Sequence, residues 1–235
     1  NWIVMKDGKM SKSKGNVIYP EELIDRYGLD PVKYFLLREM PVNQDGLFSP
    51  EAFVERYNFD LCNDLSNLVN RTVSMVNKYF NGKVPEYNGT PNEADKELEQ
   101  YALKQIDAFD EKWNNYETAN SIQEIWNLIA RTNKYIDETM PWKLAKEEET
   151  EKLASCMYHL IENLRKIAIL ISPFMNDTAQ NIFEQIGIKE NDLKVCKNLK
   201  EYDRICNVKV IEKGNPIFMR LDTKEEIEYI KSIMK

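Results

Sequence analysis

Lys6, Lys9, Lys12 and Lys14 crowd the start of the chain, with Ser11 and Ser13 among them and Gly15 behind. Within residues 1–20 these four lysines face one acid, Asp7, a local balance of +3. Ammonium groups supply charge, while hydroxyls and flexible backbone amides supply hydrogen bonds, and together they suit phosphate oxygens. A solvated basic turn has the same composition, so residue types alone leave both readings open. A P-loop is excluded. Counted from Gly8, Ser13 stands where its second glycine belongs, and Gly15 where a magnesium-binding Ser or Thr belongs.

A second set of polar residues recurs farther on. Asn63, Asn67, Asn70, Ser74 and Asn77 return at alternating steps of four and three, which puts them on one helical face, and Arg71 lies one turn beyond Asn67. Asparagine is a mediocre helix former, and an exposed helix face is ordinarily filled with Glu, Lys or Gln. Amides and an arginine fork are the groups that meet base edges or phosphate oxygens. Amides on such a face also bridge helices or cap turns inside a bundle. From Leu65 to Lys83 the chain carries Arg71, Lys78 and Lys83 and no acid; from Ile125 to Ile136 it carries Asn127, Arg131, Asn133 and Lys134 and again no acid. Met140-Pro141-Trp142 follows shortly after. A tryptophan in that setting is either a core lid or a platform on which an unpaired base stacks.

These groups need elements to hold them. Trp2–Met5 is a short apolar run before Asp7-Gly8; it reads as a buried strand ending in a tight turn, with no obvious sheet partner nearby. Pro20 and Gly28 frame a short helix, and Asp30-Pro31 open a second that runs to Met40 and is stopped by "PVNQDG". Ser49-Pro50 opens a helix with no breaker until about Phe80, whose packing face is Leu61, Leu65, Leu68, Thr72, Met75 and Tyr79. Further helices are predicted from "TPNEADKELEQY" to about Tyr116, from about Ala119 to Thr139, from about Glu147 to Pro173 and over about Thr178 to Ile186. Four long amphipathic helices with short loops predict an antiparallel bundle. Residues 188–221 hold a possible hairpin around Gly214-Asn215, and "KEEIEYIKSIMK" a terminal helix that packs back. The expected fold is mainly α: a small α/β segment over 1–48, a helical bundle over 49–187 and a C-terminal extension over 188–235.

Composition narrows the function classes. The net charge of −7 argues against indiscriminate polyanion binding. The longest apolar stretch, Ile167 to Met175, is too short to span a bilayer and holds Pro173, so no membrane association is expected. Cys62, Cys156, Cys196 and Cys206 show no CxxC spacing, and His159 is the single histidine, so reduced thiols in the cytoplasm are expected and a metal site is not.

The literal strings carry a resemblance. "KMSKS", Lys9-Met10-Ser11-Lys12-Ser13, is similar to the second signature of class I aminoacyl-tRNA synthetases, and it lies after a strand and before a helix. "DLSNLVNRTVSMVNKYFNGKVP" and "RTNKYIDETMPWKLAK" resemble the anticodon-binding bundle of the methionyl-tRNA synthetases, and "MKDGKMSKSKGNVIYPEELIDRYGLDPVKYFLLRE" resembles their stem-contact segment. The resemblance implies that Lys9, Met10, Ser11, Lys12 and Ser13 close over ATP, with Lys12 the main catalytic group and Lys9 a supporting one. It implies that Asn67 and Arg71 contact bases of the CAU anticodon of tRNA(Met), that Trp142 behind Pro141 stacks on the first of them, and that Asn133 positions the tryptophan. It further implies ATP and methionine as substrates, with Mg2+ in the full-length enzyme. A HIGH-like partner signature is absent, so a catalytic half is expected upstream of Asn1, with this piece monomeric and inactive alone. Two readings stand beside this one: a fragment of another class I synthetase, and a non-catalytic helical module that binds RNA or protein.

Overall fold

The structure, a computed structural model, describes residues 2–6, 8–42 and 44–234. Asn1, Asp7 of the expected tight turn, Asn43 of the stretch expected to stop the second helix, and Lys235 of the expected terminal helix lie outside the described residues.

The first strand does find a sheet. β1 (Ile3–Met5) pairs antiparallel with β2 (Gly8–Lys9) and parallel with β3 (Gly46–Leu47), in the order β2-β1-β3. Its partners are two residues each, too short for any alternation to show in sequence. The strand is also less buried than its apolarity predicts: Met5 enters the core, whereas Ile3 and the preceding Trp2 are exposed. Two helices back the sheet. α1 (Pro20–Tyr27) starts on its proline and stops at Gly28, whose φ of +87° is one that other residues rarely adopt, and α2 (Leu29–Glu39) follows at once.

Ser49 caps the next helix by accepting the Ala52 N–H at 3.1 Å. α3 (Pro50–Arg56), a π-helical stretch (Tyr57–Ser66) and α4 (Asn67–Phe80) form one continuous run ended by Asn81 in the left-handed conformation. The π stretch is a departure from the regular helix that the spacing predicts. Where the turns widen, two backbone carbonyls accept bonds from the side chains of a neighbouring helix, described below.

α5 (Glu93–Asn114), α6 (Thr118–Thr139) and α8 (Thr150–Ile171) complete the bundle, with the short α7 (Pro141–Lys146) between the last two. One buried carboxylate ties them: Asp95 accepts the Asn92 N–H at the start of α5, the Tyr135 hydroxyl of α6 and the Ser155 hydroxyl of α8. α9 (Asn176–Gln185) starts where Asp30 of α2 accepts both the N–H and the hydroxyl of Thr178 at 2.8 Å. The large apolar cluster runs through all these elements.

The amphipathic expectation fails for α8, which is buried on every face from Ser155 to Ile171. Glu162, Arg165 and Lys166, at i, i+3 and i+4, are charges that an amphipathic helix would turn to solvent. Instead, residues 188–221 lie over them. Arg165 grips Glu162 through Nε and Nη2 at 2.9 and 2.6 Å and donates to the carbonyls of Leu193 and Asn198. Lys166 Nζ sits 2.9 Å from Glu162 and donates to the carbonyls of Leu199 and Glu201. Burial lowers the pKa of Lys166, and Glu162 opposes that shift.

The possible hairpin around Gly214-Asn215 is not formed. Among the described residues of 188–221 the backbone pairing is a single antiparallel bridge, Lys83 with Lys209. Side chains of the helices take the place of a partner strand: Asn77 donates to Ile211 O, Ser66 accepts from the N–H groups of Ile217 and Phe218, and Asn58 exchanges bonds with the backbone of Leu221. The terminal helix α10 (Thr223–Ile233) then packs on α3, with Glu226 held by Arg26 at 2.7 and 2.8 Å and by the Tyr27 hydroxyl. Among the described residues no helix is long and apolar enough to cross a membrane.

Glu162→Gln keeps the shape of the buried cluster but strips two buried cations of their counter-ion. We expect a loss of about 3–5 kcal/mol, read as a lower urea midpoint with an unchanged slope; a loss below about 1 kcal/mol would contradict this account of the cluster.

Candidate nucleic-acid interface

The lysine loop is displayed to solvent on a tight frame. Lys12–Lys14 form a 3-10 turn closed by Gly15 at φ +66°, and Lys12, Ser13 and Lys14 are exposed. Buried Asn16 braces the base of the turn, accepting the Ser11 N–H at 2.7 Å and reaching Lys9 O at 3.5 Å. The Ser11 and Ser13 hydroxyls lie 2.8 Å apart. Lys9, on β2, rests its ammonium 4.8 Å from the centre of the exposed Trp2 ring, and Met10 is half-buried against the core. The loop therefore presents ammonium and hydroxyl groups outward on a base held by one asparagine. Its chemistry fits phosphate oxygens. Asn16 escapes a sequence reading because nothing in its type distinguishes a brace from an ordinary loop residue.

The second candidate group gathers where α6 crosses the start of α4. Asn133 Nδ2 donates to Asp64 O at 3.2 Å, and the Trp126 indole N–H donates to Asp60 O at 3.2 Å, so α6 is hooked onto two carbonyls of the π-helical stretch. One turn on, Arg71 Nη2 meets Asp137 at 3.2 Å in a solvent-facing ion pair. Asn67 lies between Asp64 and Arg71 on the same helical run, exposed, its side chain with no hydrogen bond to any described residue. Just after Asp137, Met140 adopts a left-handed conformation (φ +44°), Pro141 is buried as the first residue of α7, and Trp142 stands 50% exposed. An aromatic left half in water can stack on a base, and an unengaged amide and a releasable guanidinium can hydrogen-bond a base edge; Trp142 follows Asp137, the ion-pair partner of Arg71, by five residues.

Three readings gain detail. The amide of Asn133 donates to Asp64 O and Ile129 O and so joins the two helices, and its Oδ1 is buried without a hydrogen-bond partner. Within the asparagine stripe, Asn77 holds the C-terminal segment and is a structural residue. The basic patch is also less one-sided than it reads. Asp64 and Asp137 each lie one residue outside the acid-free stretches 65–83 and 125–136, yet the helix faces continue through them. Their signal was present at helical spacing: Asp64 three before Asn67, Asp137 four after Asn133.

An apolar strand, a lysine-serine loop, a helix pair and then a helical bundle define the architecture of a class I tRNA synthetase from that loop onward. The family model described as tRNA synthetases class I (M) matches residues 1–73, and that described as the anticodon binding domain of methionyl tRNA ligase matches residues 84–232. The chain belongs to the methionyl-tRNA synthetase family. It is 51% identical over its whole length to a methionine–tRNA ligase of Listeria monocytogenes and 50% identical to one of Bacillus subtilis, covering 36% and 35% of those proteins. The chain thus spans about a third of the relatives it matches. Among solved structures it resembles Mycobacterium tuberculosis methionyl-tRNA synthetase bound by methionyl-adenylate, with a TM-score of 0.84 and 31% identity over 93% of this chain and 43% of that one.

Burial, with the charge of Asp60 adding to it, pushes the Asp64 carboxyl up to about 6. A folded-state value above the unfolded one means that the folded chain holds a proton the unfolded chain releases; this stabilisation is present at low pH and is lost as pH rises through about 6. Asp64→Asn should therefore gain stability relative to the parent between pH 4.5 and pH 7.5, measured by urea unfolding at both values. An equal difference at both would contradict the shift.

Proposed function

We propose that this chain is the part of a methionine–tRNA ligase that reads the CAU anticodon of tRNA(Met) and supplies the KMSKS loop for ATP-dependent methionine activation. The observation that supports the reading is the α4–α6 crossing, where an unengaged amide and an arginine in an exposed ion pair share α4, and the arginine's partner Asp137 comes five residues before a half-exposed tryptophan. Trp142 stacks on the first anticodon base. Asn67 and Arg71 hydrogen-bond base edges, Pro141 fixes the entry to the tryptophan's helix, and Asn133 holds the crossing together. Exchanging Asp137 for RNA costs Arg71 little, since exposed pairs contribute about 0–1 kcal/mol.

At the other end, Lys12 on its exposed turn stabilises charge that builds on pyrophosphate as the amino acid is activated, and Lys9 supports it. The contact of Lys9 with Trp2 contributes about 0.5–1 kcal/mol at an exposed site, so the ammonium is releasable. Met10, Ser11 and Ser13 shape the ATP contact. The donor set is ammonium and hydroxyl, with no acid from Gly8 to Pro20, so it suits the triphosphate and leaves Mg2+ to residues outside the loop. The rest of the nucleotide site and the methionine site belong to the catalytic half that this chain does not contain, so it is inactive alone. A cytoplasmic setting is part of the same reading, supported by four free thiols, and so is a monomeric state.

The test is an equilibrium titration of this chain with an anticodon stem-loop bearing CAU, against one with the first anticodon base changed, at one fixed salt concentration. We expect a preference of about tenfold or more. Trp142→Ala should weaken CAU binding by about 1–3 kcal/mol and erase most of the preference. Equal binding of both RNAs by the parent chain would overturn the reading.

A further inference from the structure

The stripe of polar residues along the π-helical stretch and α4 divides into two sets. Asn58, Ser66 and Asn77 are engaged by the backbone of the C-terminal segment. The side chains of Asn63, Asn67 and Asn70 make no hydrogen bond to any described residue, and all three line one groove between the helix and that segment. Cys62, Pro216 and Phe218 complete its walls, and it encloses about 430 Å³. The segment is drawn close here by Gly214, where a Cβ would sit 3.1 Å from Asn70 Oδ1. Phe218 is fixed edge-on to Tyr57 at 5.7 Å between centroids, so this side of the groove is rigid. Exposed Lys213 and Arg220 stand on the same segment, which from 207 to 221 has a single acid, Glu212.

We propose that this groove is a further nucleotide site, which takes an unpaired nucleotide of the anticodon loop immediately next to the CAU triplet; the proposal rests on the anticodon reading above. Three arguments support RNA as the occupant. Asn67 belongs both to the proposed base-reading set and to the groove, so a neighbouring nucleotide of the same loop is within reach. Neutral amides offer a donor and an acceptor each, which match base edges and select against neither purine nor pyrimidine by charge. Pro216 and the Phe218 edge give the base an apolar wall, while Lys213 and Arg220 supply cations for the backbone. A charged peptide would find no ion-pair partner within the groove itself, whose lining carries no charged side chain.

Anticodon stem-loops with an abasic nucleotide immediately 5′ or immediately 3′ of CAU distinguish these possibilities by equilibrium titration. We expect one of the two abasic RNAs to bind the parent chain about fivefold or more weakly than the intact RNA, and that penalty to vanish in Asn63→Ala/Asn70→Ala. Asn63→Ala alone, with thermal midpoints for both variants, separates loss of the site from loss of fold. The proposal is overturned if neither abasic RNA is weakened, or if the penalty persists undiminished in the folded double variant. If the parent chain prefers CAU over the first-base change while the abasic RNAs bind normally, the groove proposal alone falls. If the parent chain shows no preference for CAU, both readings fall together.

Discussion

Residues 193–221 cover the bundle with almost no strand or helix of their own, and a buried backbone must have its polar groups met. That demand governs where the polar side chains of the helices go. Arg165 and Lys166 reach up from the middle of α8 to four carbonyls, and Tyr158 accepts the Asp203 N–H beside them. Gln185 and Asn77 meet Asn215 and Ile211, and Ser66 and Asn58 meet the stretch from Ile217 to Leu221. Two cations buried this deeply would be costly without Glu162 and the carbonyls they satisfy. The helix that holds them is therefore buried all round, and the segment is fixed on the same helix that carries Asn67 and Arg71.

What is left over on that helix becomes legible as function. Side chains with partners hold the fold, while those facing open space without partners are available to a ligand. Asn67 is in the second set. Arg71 lies between the two, held only by a solvent-facing pair with Asp137. α6 is anchored beside them by two bonds to carbonyls of the widened turns, from Trp126 and Asn133, and α7 with Trp142 follows directly on the end of α6. At the far end the lysine loop rests on a frame tied back to the terminal helix through the grip of Arg26 and Tyr27 on Glu226. One continuous core thus joins the loop and the crossing.

Much of this was legible in the sequence, because proline, glycine and asparagine mark helix ends for local reasons. Pro20, Gly28, Ser49-Pro50, Asn81 and Pro141 all act where local chemistry places them. The lysine loop, the Asn67–Arg71 pair and Trp142 were likewise visible as types and spacings. The rest depends on long-range partners. Two-residue strands leave no period to detect, the π-helical stretch has no breaker to announce it, and Glu162, Arg165 and Lys166 look like a solvated stripe until residues 188–221 are laid over them. The asparagine stripe shows the same limit: its spacing is legible, but only the fold shows that Asn77 is bound to Ile211 while Asn67 is not. Asp64 and Asp137 were lost for a simpler reason, since charge counted along a stretch of chain ends where a helix face does not.

The central claim is that the crossing of α4 and α6, and not the basic surface in general, receives the anticodon. Amide hydrogen exchange of the chain, with and without saturating CAU stem-loop, tests it most directly. Slowed exchange concentrated in residues 63–72 and 133–144, and absent with a stem-loop altered at the first anticodon base at equal concentration, is the predicted result. Protection spread evenly over the basic surface, or confined to the lysine loop, would contradict it.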